Sequence, residues 1–233
     1  MITSYKTALT EKEQLTNNIY LLTFQLIIPQ EIDFVPGQYL ILKVPKANAY
    51  VPRLYSIYSS NKIKNQIQFV VEIVPNGLAS TYFLNMKIND PVEFQGPLGQ
   101  FVLRENTNKK IFLATGSGIA PIISILESFQ IVNYKLFWGL KTYEDVYLFN
   151  EFKKFSPTIC LSREKNLDKV PQESQSFFTL GHVDGAMEEF SKNDDLTKNT
   201  DFYLCGRKEI TESLRSFLLA KNIPPQNIFF EKF

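Results

Sequence analysis

A change of rhythm near residue 105 is the feature that most constrains what this chain can fold into. Before it, short runs rich in β-branched and aromatic residues (19–26, 38–44 and 66–74) are separated by Pro36-Gly37, Pro75-Asn76-Gly77 and Asn89-Asp90-Pro91. Such runs read as strands closed by turns, and several at this spacing predict an all-β antiparallel barrel. One helix interrupts them, expected over 79–86 with Ser80 near its start as a cap. After the polar stretch 104–109, apolar strands alternate with helical patterns. Strands are expected at 110–114, 134–138, 158–162, 201–205 and 227–230, and helices at 120–130, 144–154, 184–190 and 209–221. That order predicts an α/β doubly wound parallel sheet. Two domains follow, with the boundary near residue 105.

Composition removes several function classes. The 25 basic and 24 acidic residues nearly cancel, so no global field draws the chain to nucleic acid or an anionic membrane. Two cysteines, Cys160 and Cys205, and one histidine, His182, are too few for a four-cysteine cluster, and they make a protein-ligated metal centre or a His-based triad improbable. His182, in Gly181-His182-Val183, reads as a surface or loop residue. The N-terminus lacks a signal-peptide core, and Thr115-Gly116-Ser117-Gly118 and Pro121 interrupt the most apolar stretch, 111–126. A soluble, cytoplasmic chain without a membrane span is expected.

Ligands of a doubly wound sheet bind beyond the carboxyl ends of its strands, at helix N-termini. The first such turn is Leu113-Ala114-Thr115-Gly116-Ser117-Gly118-Ile119-Ala120-Pro121. Gly116 and Gly118 admit the close approach of a pyrophosphate, and Pro121 can open the helix. The spacing is short of the full dinucleotide fingerprint and, taken alone, favours an ordinary strand–helix turn. Ser162-Arg163 ends the third strand, either gripping a ribose 2′-phosphate or standing in solvent. Cys205-Gly206 ends the fourth, either beside a flat ring or as a buried structural thiol. In the first half, Arg53, Tyr55 and Ser56 offer a cation, a ring and a hydroxyl. Regular strand alternation separates Arg53 and Tyr55 from Leu54 and Ser56, whereas a strand end or bend brings them to one ligand.

Taken in order, Arg53-Leu54-Tyr55-Ser56-Ile57-Tyr58-Ser59-Ser60, Gly77-Leu78-Ala79-Ser80, Gly96-Pro97-Leu98-Gly99-Gln100-Phe101, the glycine turn, Leu161-Ser162-Arg163-Glu164, Tyr203-Leu204-Cys205-Gly206 and Phe230-Glu231-Lys232-Phe233 resemble the ferredoxin/flavodoxin–NADP reductase family, in a compact bacterial form. The resemblance spans nearly the whole chain. It implies a FAD-binding β-barrel over 1–105 and an NADP-binding α/β domain over 106–233. Arg53 would hold the FAD pyrophosphate, Tyr55 would stack on the flavin and Ser56 would hydrogen-bond near flavin N5, with Leu54 between them. Val71, Glu72 and Ile73 would pass the flavin, and Leu78, Ala79 and Ser80 would meet the phosphates. Thr115 would lie near both rings, and Gly116 to Gly118 would receive the NADPH pyrophosphate. Leu140 and Lys141 would border the nucleotide, Ser162 and Arg163 would read its 2′-phosphate, and Cys205 with Gly206 would flank the nicotinamide. Glu231 would tune the flavin or relay a proton, and Phe233 would cover the flavin face that nicotinamide must reach.

The implied catalytic set is therefore Ser56, Cys205 and Glu231. The implied activity moves hydride between NADP(H) and FAD, and single electrons to or from a separate ferredoxin or flavodoxin. After Ser162-Arg163 only Lys165, Lys169 and Phe177 remain to hold the adenosine phosphate, so NADPH is the expected nucleotide and NADH the alternative. The Phe-Glu-Lys-Phe ending is also similar to that of oxygenase reductase components, which leaves an NAD(P)H:flavin reductase or an oxygenase reductase as the second reading. Lys43, Lys46, Lys62 and Lys64 read as scattered solvated charges, or else as a rim that steers an acidic carrier.

Overall fold

The structure, a computed structural model, describes residues 2–47, 49–192, 196 and 199–232. It divides into two compact units, one of residues 1–103 with 123–130 and the other of 104–122 with 131–233.

The first unit is a curled six-stranded antiparallel sheet. Its strands are β1 (Thr3–Gln14), β2 (Ile19–Ile28), β3 (Tyr39–Lys46), β4 (Ala49–Ser56), β5 (Gln66–Glu72) and β6 (Pro91–Leu98), in the order β4-β3-β6-β1-β2-β5. The expected antiparallel barrel domain is thus present. Alternate residues point inward, as a two-residue period demands: Leu22, Phe24 and Leu26 on β2, Leu40, Leu42 and Val44 on β3, and Ile67, Phe69 and Val71 on β5 are all buried. Phe24, Phe69 and Phe94 form the centre, with ring centroids 5.1–6.0 Å apart. Each such ring stabilises the fold by about 1.5–3 kcal/mol through burial. The helix α1 (Leu78–Asn85) follows β5 and adds Ala79 and Phe83 to this core.

The second unit is a six-stranded parallel sheet of β7 (Lys109–Thr115), β8 (Tyr134–Leu140), β9 (Thr158–Leu161), β10 (Phe178–Leu180), β11 (Thr200–Gly206) and β12 (Ile228–Lys232), in the order β10-β9-β8-β7-β11-β12. Its helices are the four-residue α3 (Phe149–Phe152), α4 (Val183–Ser191) and α5 (Lys208–Ala220), and α2 (Ile119–Ser128) begins in it and runs into the residues counted with the first unit. The central strands β7 and β11 are buried almost without interruption, as a parallel sheet covered on both faces requires. Ile111, Leu113, Phe202 and Leu204 pack with Val183 and Met187 of α4 and Leu214 and Leu218 of α5. Residues of opposite parity form a stacked row, with Tyr203 between Phe112 (5.2 Å) and Phe229 (4.9 Å) and the Arg104 guanidinium 4.6 Å from the Phe229 centroid.

Two local expectations are corrected and one strand is added. Ser80 does not cap α1: Gly77 occupies the N-cap, and the Ser80 hydroxyl oxygen instead accepts the Val74 N–H at 2.9 Å. The helix expected over 144–154 is broken into a 3-10 turn at Tyr143–Asp145, α3, and a second 3-10 turn at Lys153–Phe155. Left-handed backbone at Leu148 (φ 49°) and Ser156 (φ 49°) bounds these last two pieces. Strand β10, too short to announce itself, pairs in parallel with β9 at the sheet edge.

The stretch 104–109 is held firmly by the second unit. Arg104 N–H donates to the Tyr203 hydroxyl at 2.9 Å, while Asn106, Asn108 and Lys110 all donate to the Asp201 carboxylate. Lys110 and Asp201 are almost wholly buried, at 3% and 1% exposure. Burial alone would push the Asp201 carboxyl up, but hydrogen bonds from Lys110, Asn108 and Asn106 outweigh it and hold the group below its ordinary value.

Candidate functional site

In the first unit, three segments named by the sequence are joined by direct contacts. Strand β4 pairs with β3 from Ala49 to Ser56, its last residue, so Tyr55 and Ser56 stand together at a strand end. The Tyr55 ring meets Phe83 of α1 edge-on at 5.2 Å and Phe69 of β5 at 6.1 Å. Burial raises its hydroxyl to about 12, with the Arg53 charge opposing the shift, so it stays protonated near neutral pH. Arg53 is exposed and donates from Nη1 to Pro52 O at 2.9 Å; Leu54 is 55% exposed. Beyond β5, Ile73 N–H donates to Asn18 O at 2.7 Å, and the Val74–Ser80 bond ties this segment to the first turn of α1. Tyr55, Ile73 and Leu78 are partly exposed apolar groups resting on one core, as a flat ring would need. Val71 is buried in that core, and Glu72 ends β5 opposite Ile19.

Ser56 is the informative residue. Its side chain is buried at 7% exposure, yet Oγ has no hydrogen-bond partner among the described residues. A buried hydroxyl without a partner costs about 1–3 kcal/mol, which is sensible where a ligand supplies the missing partner. The far end of α1 is also specialised: Lys12 Nζ donates to the carbonyls of Phe83, Leu84 and Met86 at 2.9, 2.7 and 3.1 Å. The helix itself carries no basic residue in its last turn.

In the second unit, Thr115, Leu140, Leu161 and Gly206 end four parallel strands. The turn Gly116–Gly118 is a 3-10 segment that leads directly into α2. Gly116 has φ 53°, and a Cβ at Gly118 would lie 2.3 Å from the Cys205 carbonyl oxygen. The glycine expected to admit a pyrophosphate therefore also admits the end of β11. Gly206 faces Thr115 Oγ1, which would lie 2.0 Å from an added Cβ. Thr115 Oγ1 is itself a buried oxygen with no hydrogen-bond partner among the described residues. Cys205 is buried; burial first, and then the Glu231 charge beside it, push its thiol well above the ordinary value, so it is neutral. Glu231 stands opposite Cys205 in the β11–β12 register. Phe233 lies outside the described residues.

The β8 and β9 ends are knitted together. Ser162 donates both its N–H and its hydroxyl to Leu140 O, at 3.0 and 3.1 Å, and Arg163 N–H donates to Lys141 O at 2.8 Å. The Ser162 hydroxyl proton is thus already committed, whereas the Arg163 and Lys141 side chains are exposed. Lys169 pairs with Glu144 (2.7 Å) and Glu164 (3.4 Å), and Phe177 packs on Phe149. Of the lysines considered as a rim, Lys43 pairs with Glu93, Lys64 pairs with Asp33, and Lys62 donates to Glu127 O. His182 occupies the N-cap position of α4 and is exposed. Sequence reasoning missed Trp138 and Tyr147, which both donate to the Gly116 carbonyl, and Lys12; only the tertiary fold brings these groups to their partners.

Comparison with known proteins agrees with both halves of this description. Residues 6–103 match the family model of the oxidoreductase FAD-binding domain, and residues 112–216 that of the oxidoreductase NAD-binding domain. The chain belongs to the ferredoxin reductase family. It is a FAD- and NAD-binding oxidoreductase. The 2-halobenzoate 1,2-dioxygenase electron transfer component of Burkholderia cepacia is 30% identical over 97% of this chain and 66% of its own length. The toluate 1,2-dioxygenase electron transfer component of Pseudomonas putida is 28% identical over 98% of this chain and 67% of its own. The chain thus spans about two thirds of the length of the curated relatives it matches. A ferredoxin NADP+ reductase from Neisseria gonorrhoeae with bound FAD and NADP shares the fold at TM-score 0.82 and 19% identity, covering 99% of this chain and 98% of that one. Among the described residues, no helix is long and apolar enough to cross a membrane.

Proposed function

We propose that this chain is a FAD-dependent reductase that exchanges hydride with NADPH and passes electrons singly to a separate ferredoxin or flavodoxin in the cytoplasm. On this reading residues 1–105 bind FAD and 106–233 bind the nicotinamide nucleotide. The buried Ser56 hydroxyl, without a partner among the described residues, is the observation that carries it. Bound FAD supplies a ring that takes up a hydride and releases electrons one at a time. Tyr55 packs against that ring, and Ser56 holds a hydrogen bond near its N5. Arg53 and the first turn of α1, at Leu78, Ala79 and Ser80, neutralise the pyrophosphate. Val71, Glu72 and Ile73 border the ring, with Leu54 beside them.

In the nucleotide domain, Gly116 and Gly118 receive the second pyrophosphate. Leu140, Lys141, Ser162 and Arg163 border the adenosine end, with Arg163 as the cation for a 2′-phosphate. Thr115, Cys205 and Gly206 orient the nicotinamide, and Glu231 exchanges a proton with bulk water. The neutral thiol of Cys205 acts by position and not as a nucleophile.

The dioxygenase relatives favour one second reading, a reductase that delivers electrons to an oxygenase component. Anaerobic mixing with NADPH or NADH, followed by flavin bleaching, tests the choice. The NADPH reading expects the wild type to prefer NADPH and Arg163→Ala to lose at least about tenfold of that preference, the value of a charge-assisted contact. A ratio near unity in both proteins would favour the oxygenase-reductase reading. Cytochrome c reduction that requires added ferredoxin or flavodoxin identifies the carrier.

A further inference from the structure

The carbonyl of Gly116 sits at the start of the turn that the proposed function assigns to the nucleotide. It accepts two hydrogen bonds, from Trp138 Nε1 at 3.0 Å and from the Tyr147 hydroxyl at 3.2 Å. Both donors are buried, at 0% and 3% exposure. Their rings pack edge to face, 4.9 Å apart at 83°, and Phe152 of α3 closes the group at 5.6 Å from Trp138. Both lone pairs of one carbonyl are thereby fixed by side chains of two other segments.

A peptide unit is planar and trans, so the N–H of the next residue points opposite to the carbonyl. Anchoring Gly116 O on the buried aromatic group therefore turns Ser117 N–H away from it. The first N–H groups of a helix have no carbonyl partner within that helix and are the groups an anion uses. Gly116 also adopts φ 53°, where a glycine moves freely between alternatives unless something holds it. The break in the helix expected over 144–154 gains a purpose here. Left-handed Leu148 separates Tyr147 from α3, and the hydroxyl of Tyr147 and the ring of Phe152 both reach the Trp138 group.

We propose that Trp138 and Tyr147 are positioning residues for nucleotide binding: they hold the Gly116 carbonyl so that the N–H groups of the Gly116–Gly118 turn are presented to the pyrophosphate of NAD(P)H. The inference rests on the reading of this turn as the nucleotide site. Neither side chain touches the nucleotide itself. Both act through one backbone oxygen.

Tyr147→Phe deletes one hydroxyl and keeps the ring. It is compared with Phe152→Leu, which loosens the same aromatic group without touching the carbonyl, in FAD-loaded protein. ADP-ribose, a probe that carries the pyrophosphate and no reactive ring, is titrated by calorimetry, and the thermal midpoint is read alongside. Tyr147→Phe should weaken ADP-ribose about fivefold, the loss of roughly one neutral hydrogen bond, with little change in midpoint. It should also raise the NADPH concentration for half-maximal flavin bleaching, with an unchanged rate at saturation. Phe152→Leu should lower the midpoint and leave ADP-ribose affinity within about twofold, because the hydrogen bonds survive. An unchanged affinity in Tyr147→Phe, or an equal loss in Phe152→Leu, overturns the inference. Failure of the wild type to bind ADP-ribose would instead overturn the assignment of the turn, and the inference with it.

Discussion

The two helix starts assigned to phosphate are built by opposite means. At α1, polar side chains tether the backbone: the Ser80 oxygen takes the Val74 N–H, and the Lys12 ammonium closes the far end of the helix on three carbonyls. At the β7–α2 turn, close packing dominates: Gly118 lies against the Cys205 carbonyl and aromatic donors clamp Gly116 O. A tether gives way by degrees when one bond is lost. A packed backbone contact fails abruptly, because nothing soft separates the two backbone segments. Substitutions in the second unit should therefore cost more than those around α1.

The largest effect should come from the buried Lys110–Asp201 pair, at the opposite ends of β7 and β11 from the β7–α2 turn. Asp201→Asn strips the charge that faces Lys110 and should destabilise the second unit by about 3–5 kcal/mol, read as thermal unfolding through the fluorescence of Trp138. The same pair sets a pH dependence. Because the folded Asp201 carboxyl is held below its unfolded value, its contribution is complete above the ordinary carboxylate range. It is lost as pH falls through the lower folded value, so wild-type stability should drop below about pH 4. Asp201→Asn should flatten that acid limb; an acid limb of unchanged slope would contradict the pairing.

Next in size, Gly118→Ala should cost about 3 kcal/mol, since the new methyl meets a backbone carbonyl at 2.3 Å. A variant as stable as wild type would show that the packed contact is not there. The smallest effect belongs to the tether. Lys12→Met should cost about 1–2 kcal/mol in urea unfolding and weaken FAD only modestly, with Lys12→Arg largely restoring both. A Lys12→Met loss as large as that of Gly118→Ala would erase the contrast between the two turns.

What the sequence disclosed follows the same division. Strands β2, β3 and β5 of the first unit and the buried β7 and β11 runs were legible because burial periodicity is written in the residue types themselves, whereas β1 and β6 were not read as strands. The glycine turn, Ser56 and Cys205 were legible as unusual residues at strand ends. The break at Leu148 was not, because nothing in a leucine favours a left-handed backbone; the surrounding fold imposes it. Tyr147 consequently looked like one more helix residue. Ser80 looked like a cap because caps are usually serines, and only the fold shows its oxygen turned to Val74. Ser162 resembled a phosphate ligand, while its proton is already given to Leu140 O.

The central claim is that the Ser56 hydroxyl is left without a partner among the described residues because a flavin supplies one. Calorimetric titration of the FAD-stripped protein with FAD tests it most directly. The account predicts stoichiometric uptake with tight affinity and a yellow product, weakened about fivefold or more in Ser56→Ala. A wild-type protein that takes up no FAD would contradict it.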